Sequence, residues 1–296
     1  MITVGGTNIT VQGAPGSVID GNGGAWWDGQ GSNGGEPKPD HFFVVENLLG
    51  KNSIHNLYIE NYPTHCFEVT NVQNLEMYNI ILNNLAGNAP NAKSSGLPAA
   101  HNTDGFDVSG SVNVTIHDNT VYNQDDCVAI TSGNNIEVYN MLCDGCHGLS
   151  IGSVGGKSNN NVTNINFHDS ILYNCQNGPR IKTNSNTTGY VAGITYENIA
   201  VYNASVYGID IQQDYLNGGP TGFPTNGVIV KDIYIKNIIG DVCCGALDVY
   251  ILCGNGSCSN ITLENVEIFG GKSTCDFKTA GNYQCPLIPV PTNSTT

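Results

Sequence analysis

Three aspartates, one histidine and two cationic residues stand out, because together they could run acid–base chemistry on an anionic substrate. They are Asp104, the adjacent Asp125 and Asp126, His147, Arg180 and Lys182. Carboxylates held close together repel, so at least one keeps its proton to an elevated pH while its neighbours ionise. That mixture lets one group protonate a leaving oxygen while another activates water, the two tasks of glycosidic cleavage. The arginine and lysine would hold a carboxylate of the substrate, the arginine by a two-pronged contact. Taken singly, each aspartate is better explained as a turn residue or a calcium ligand. Only the six together make the chemical reading.

These residues are scattered along the chain, so the elements carrying them must bring them together. Short strand-like runs recur, flanked by Gly, Asn or Asp. Gly105-Phe106-Asp107-Val108-Ser109 aligns with Cys127-Val128-Ala129-Ile130-Thr131, and then with the runs starting at Gly148, Gly178 and Gly208. A further rung is read at Ala246-Leu247-Asp248-Val249-Tyr250. Apolar residues two apart give each run an inward and an outward face. A second ladder runs through Asn113, Asn135, Asn164, Gly193, Asp232 and Asn260, in steps of 22, 29, 29, 39 and 28 residues. Irregular steps fit a parallel β-helix, whose coils share strands while their loops vary, better than a propeller or a leucine-rich horseshoe. A β-sandwich gives no reason for matching frames in successive strands.

Coils of such a solenoid stack about 4.8 Å apart, so residues at equal offsets become neighbours. Counting four back from Val108, Ile130 and Ile151 reaches Asp104, Asp126 and His147, with Asp125 alongside. Arg180 and Lys182 flank inward-facing Ile181 and so point outward on the same stack. The expected fold is all-β, one solenoid domain over residues 1–296 with an irregular tail from about 286. The start, Met1-Ile2-Thr3-Val4-Gly5, reads as mid-solenoid with the N-terminal cap missing.

Composition agrees: 40% of residues are hydrophobic but only 12% charged, and Gly, Asn, Thr and Ser, which disfavour helices, are abundant. A net charge of −15 argues against nucleic acid or an anionic membrane as partner. It also requires any site for a polyanion to concentrate the few cations locally. Eleven cysteines suggest an oxidising compartment, and eight N-x-S/T sequons, at Asn8, Asn113, Asn161, Asn186, Asn203, Asn255, Asn260 and Asn293, agree with export. No signal peptide or membrane-length apolar run is visible, so secretion is an inference.

Four segments, Asn102-Thr103-Asp104-Gly105, Gln124-Asp125-Asp126-Cys127, His147-Gly148 and Arg180-Ile181-Lys182, resemble in order and spacing the signature motifs of polygalacturonases, glycoside hydrolase family 28. The similarity runs from about Val18 to Cys285. It implies a right-handed parallel β-helix that hydrolyses α-1,4-galacturonosyl bonds of polygalacturonate with inversion, without metal or cofactor, as a secreted monomer. On that resemblance Asp125 is the general acid, Asp104 and Asp126 activate water, and His147 tunes the acid. Arg180 and Lys182 grip a galacturonate carboxylate, with Tyr215, Asn102 and Gln212 completing the pocket. The same resemblance implies disulfides Cys127–Cys143, Cys253–Cys258 and Cys275–Cys285. Cys66, Cys146, Cys175, Cys243 and Cys244 stay unassigned.

The run from His147 to Gly156 is endo-like, so internal cleavage is expected; exo action, which needs only a loop closing one end of the cleft, is the first alternative. A non-catalytic pectin-binding β-helix is the second. His41, His55, His65, His101, His117 and His168 have no place in the stripe of motif residues and receive no role. Trp26-Trp27 reads as buried packing before a sugar platform. Residues 88–100 read as a loop forming a cleft wall.

Overall fold

The computed structural model describes residues 1–217 and 219–289. The chain winds as a right-handed parallel β-helix, the hand that parallel crossovers take. Among the described residues, a front sheet stacks ten strands in chain order, with Phe106–Ser109, Val128–Ile130, Leu149–Val154, Pro179–Asn184 and Tyr207–Tyr215 at its centre. A larger sheet stacks the alternate strands, among them Ser111–Tyr122, Gly133–Asp144, Asn161–Tyr173, Gly189–Ala204 and Val228–Val242. All recorded pairings are parallel, so successive coils climb by one inter-strand spacing.

The expected front-sheet register holds at the centre. Val108 pairs with Ile130, Ile130 with Ile151, Ile151 with Ile181 and Ile181 with Ile211. These side chains are buried and continue one another along the axis. Phe43, Phe67 and Phe106 stack beside them at centroid distances of 4.9 and 5.2 Å. The last expected rung is displaced by two residues: Tyr207 pairs with Leu247 and Ile209 with Val249. A turn precedes it, with Cys244 at φ 60° and Gly245 at φ 83°. A slip of two keeps every apolar residue on its face, so alternation alone does not reveal it.

The second ladder is a row of left-handed turns. Asn113, Asn135, Asn164, Asp232 and Asn260 have φ between 51° and 58°, and Gly193 has 67°. Asparagine and aspartate tolerate this region because their short side chains bond locally, which is why they recur there. The amides also link coil to coil, as Asn135 Nδ2 donates to Asn113 Oδ1 at 3.0 Å and Asn113 Nδ2 to Asn74 Oδ1 at 2.6 Å.

Disulfides close Cys127–Cys143, Cys253–Cys258 and Cys275–Cys285, and also Cys146–Cys175, a pairing the sequence left open. Cys66, Cys243 and Cys244 are free. Trp27 is buried, its Nε1 donating to the Tyr62 carbonyl at 3.2 Å, while Trp26 is partly exposed. Of the expected C-terminal tail, residues 286–289 still touch the solenoid through Ile288 N donating to Cys275 O at 2.7 Å. The rest of that tail, with the Asn293 sequon, lies outside the described residues. No described helix is long and apolar enough to cross a membrane.

Candidate active site

The carboxylates sit in the turns that lead into the front sheet. Gly105 N donates to Asp126 O at 2.9 Å, and His147 N to Asp125 O at 2.8 Å, so three turns stack as rungs. Their backbone is tied from within. Asn123 Nδ2 reaches the carbonyls of Thr103, Asp125 and Asp126 at 2.9, 3.0 and 2.9 Å. Thr103 Oγ1 donates to Gln124 Oε1 and accepts from Gln124 N, which locks the first two motifs together. Cys127 follows Asp126 and Cys146 precedes His147, so two disulfides pin the acidic pair and the histidine.

Asp104, Asp125 and Asp126 each offer an oxygen within 4.8 Å of the others, and all three are nearly buried. That spacing could suit a cation, but the protein supplies the positive charge itself. Lys182 Nζ donates to Asp126 Oδ2 at 2.7 Å, and Arg180 Nη1 lies 3.9 Å from Asp126 Oδ1. Ser150 Oγ donates to Asp126 Oδ1 at 2.7 Å. Asp125 is held by His147 Nδ1 at 3.0 Å, by Asn102 Nδ2 at 3.0 Å and by the Asp126 amide at 2.8 Å. Equal offset pairs His147 with Asp126, yet its imidazole engages Asp125. The side chain leans along the stripe, which register does not specify.

The electrostatics divide the carboxylates differently from the expected roles. Burial, followed by the charges of Asp125, Asp107 and Asp126, pushes Asp104 well above the usual carboxylate range, with Lys182 opposing. Burial also works on Asp125, but His147, Lys182 and the Asp126 amide outweigh it and hold Asp125 low. Of the two, Asp104 is the one whose surroundings favour its protonated form, whereas those of Asp125, the expected acid, favour the ionised form beside His147. The reason is local: Asp125 has donors on both oxygens, whereas Asp104 has only His65 Nε2 at 3.6 Å.

Arg180 and Lys182 project from Pro179–Asn184 into a cavity of about 300 Å³ shared with His147, Gln176, Tyr207 and Tyr215. The Tyr215 ring lies 5.8 Å from the Arg180 guanidinium and 5.2 Å from Lys182 Nζ, within cation–π range. Gln212 lines the same cavity but spends its amide on Asp214 Oδ1 at 3.0 Å. The hydroxyl of buried Tyr196 bonds the Arg180 carbonyl from inside at 2.9 Å. A second cavity, of about 490 Å³, is walled by Leu97, Pro98 and Ala100 of the expected loop and reaches His147.

Sequence reasoning passed over several neighbours. Asp210, register mate of Arg180, accepts from its Nε at 3.2 Å; its other oxygen has no partner, and burial pushes its pKa up to about 7 against the pull of Arg180. Equal offset on the next rung could have revealed it. His65 and His41, given no role, approach Asp104 and Asp107 at 3.6 and 3.1 Å. No sequence signal announces them, since they come from coils without motifs. His55, His117 and His168 instead stack with Tyr78 and Tyr139 in one column, spaced 4.7 to 5.3 Å. His101 contacts Asn33 at 3.2 Å beside the larger cavity.

Comparison with known proteins finds the same arrangement of chain. The family described as "Glycosyl hydrolases family 28" matches residues 1–285. The "Polygalacturonase" of Fusarium fujikuroi is 56% identical over 281 residues, 94% of this chain and 75% of that protein. The "Probable endopolygalacturonase D" of Neosartorya fischeri is 54% identical over 279 residues, 94% of this chain but 59% of that one. Among solved structures, endopolygalacturonase I from Stereum purpureum, in complex with two galacturonates, superposes with a TM-score of 0.76 at 31% identity, covering 94% of this chain and 84% of its own. With the family model spanning nearly the whole solenoid and relatives identical at more than half their aligned positions, the chain belongs to glycosyl hydrolases family 28.

Proposed function

We propose that the chain hydrolyses α-1,4-galacturonosyl bonds of polygalacturonate at internal positions. The observation that carries this is the abutment of a buried three-carboxylate cluster on a cationic cavity, through Lys182 and Arg180 at 2.7 and 3.9 Å from Asp126. A galacturonate carboxylate on Arg180 and Lys182, with its ring beside Tyr215, sets the next glycosidic oxygen near Asp125 and His147. The leaving oxygen takes a proton from the Asp125–His147 pair, which shares one proton across its 3.0 Å contact. Water attacks the anomeric carbon from the side of Asp104 and Asp126, is oriented between them, and gives its proton to Asp126. Asp126 supports this step as an acceptor oriented by Lys182 and Ser150. Configuration inverts. Cavities on both sides of the carboxylates favour an endo mode over a closed, exo-acting end. The disulfides favour a secreted protein, acting as a monomer on pectin.

The raised pKa of Asp104 favours a second reading, in which Asp104 is the acid. Product profiling on unesterified polygalacturonate, with the anomer followed by NMR, tests the activity. Viscosity should fall well ahead of reducing-end release, and the first product should be the β-anomer. Monomer release in step with viscosity loss would indicate exo action, and an unsaturated product would indicate a lyase. Binding without turnover would leave a pectin-binding solenoid.

A further inference from the structure

Three cysteines stand outside the disulfides, and two of them are neighbours in the chain. Cys243 and Cys244 lie in the turn between Val228–Val242 and the front-sheet strand Leu247–Leu252. Cys244 is exposed and Cys243 partly buried. Their thiols are in hydrogen-bond contact, which pushes the Cys243 thiol up. The turn holds them in place: Ala246 N donates to Cys243 O at 2.9 Å, with Cys244 at φ 60° and Gly245 at φ 83°. Cys243 N is anchored in turn on Ala204 O of the preceding coil at 2.8 Å. Every other described non-glycine residue at positive φ is Asn or Asp, apart from Ser95. Cysteine has no side-chain oxygen to bond its own backbone there, so local preference does not account for Cys244.

Elimination leaves each of these thiols a single partner within the chain. The four disulfides take Cys127, Cys143, Cys146, Cys175, Cys253, Cys258, Cys275 and Cys285. Cys66 is fully buried just before Phe67. From that rung the front sheet climbs six steps, Val69 to Val108, Ile130, Ile151, Ile181, Ile211 and Ile251, to reach the strand that follows the turn. At about 4.8 Å per step this is roughly 29 Å, far beyond disulfide reach. Adjacent Cα atoms, by contrast, stand about 3.8 Å apart, inside the roughly 4.4–6.8 Å that relaxed disulfides span. A bridge across one peptide unit is therefore strained, and strained, exposed disulfides are the readily reduced ones.

We propose that Cys243 and Cys244 are a modification site, closing a disulfide between adjacent residues that thiol–disulfide exchange makes and reopens while the other four bridges persist. The oxidant is a small-molecule disulfide of the oxidised-glutathione kind. The exposed Cys244 thiolate attacks one of its sulfurs and releases a first thiol. Cys243 then attacks Cys244 Sγ of the mixed disulfide and releases the second. One S–S bond breaks and one forms, and the two protons and two electrons given up by the cysteines reappear in the two thiols released.

The test equilibrates the folded protein with oxidised glutathione, then counts thiols by mass spectrometry after iodoacetamide labelling in denaturant without reductant. Wild type should take one label, at Cys66, and carry no glutathione. Three labels, or a glutathione adduct persisting on Cys244, would overturn the assignment. So would a covalent dimer that disappears in Cys244→Ser. Cys243→Ser should trap the mixed disulfide as one glutathione adduct on Cys244; the wild-type count stands by itself if that variant fails to fold. Graded dithiothreitol on the oxidised wild type should expose Cys243 and Cys244 at a concentration about tenfold below that which opens the other bridges. Opening of all five together would overturn reversible exchange at this turn.

Discussion

Asp210 offers a direct test of how the cationic cavity is built. Its carboxylate is fully buried, bonded by Arg180 Nε on one oxygen and unpartnered on the other. Burial lifts its pKa from 3.8 to about 7. A group raised on folding contributes stability below its unfolded pKa that is lost as pH climbs through the folded value. Over these roughly three pH units, at about 1.4 kcal/mol each, the loss is about 4 kcal/mol between pH 4 and 7. Asp210→Asn keeps an oxygen for Arg180 Nε but does not titrate, so this loss should vanish from its pH–stability curve. Urea unfolding at half-unit pH steps should show the stability difference, variant minus wild type, rising by about 4 kcal/mol from pH 4 to 7. Measured above pH 7, where Asp210 is ionised, the variant's KM for oligogalacturonate should rise as Arg180 loses its charged anchor, with kcat less affected. Parallel curves for the two proteins would refute the view that Asp210 ionises inside the solenoid as the counter-ion of Arg180.

Further expectations concern the other groups. Asp125→Asn should lower kcat about 10²–10⁴-fold while oligogalacturonate still binds, and an activated aryl leaving group should restore much of the rate. If that substrate instead rescues Asp104→Asn, the acid is Asp104. Lys182→Met leaves the buried Asp126 charge without its 2.7 Å partner and should cost about 3–5 kcal/mol, read as a lower urea midpoint together with lost turnover. Replacing both Cys146 and Cys175 by serine opens a loop of 29 residues and should cost about 2–4 kcal/mol by the same assay. Because Cys146 adjoins His147, kcat should fall as well; unchanged kinetics would separate the bridge from the site.

What the sequence determined by itself is whatever repeats with the coil. Apolar residues two apart had to face inward, and a parallel stack had to place Val108, Ile130, Ile151 and Ile181 in line. The Asn, Asp and Gly ladder was legible as a repeat, while the left-handed turns at its members came from the structure, in a conformation few other residues accept. Those two regularities were enough to gather Asp104, Asp125, Asp126, His147, Arg180 and Lys182. Tertiary structure alone decided the rest. Side-chain lean gave His147 to Asp125, and an intervening turn slipped the rung at Leu247 by two residues. The approach of two coils paired Cys146 with Cys175 and brought His65 to Asp104. The pKa of Asp104 is raised because burial and charge act through space and sum over every neighbour, whereas spacing along a chain records only which residues can meet.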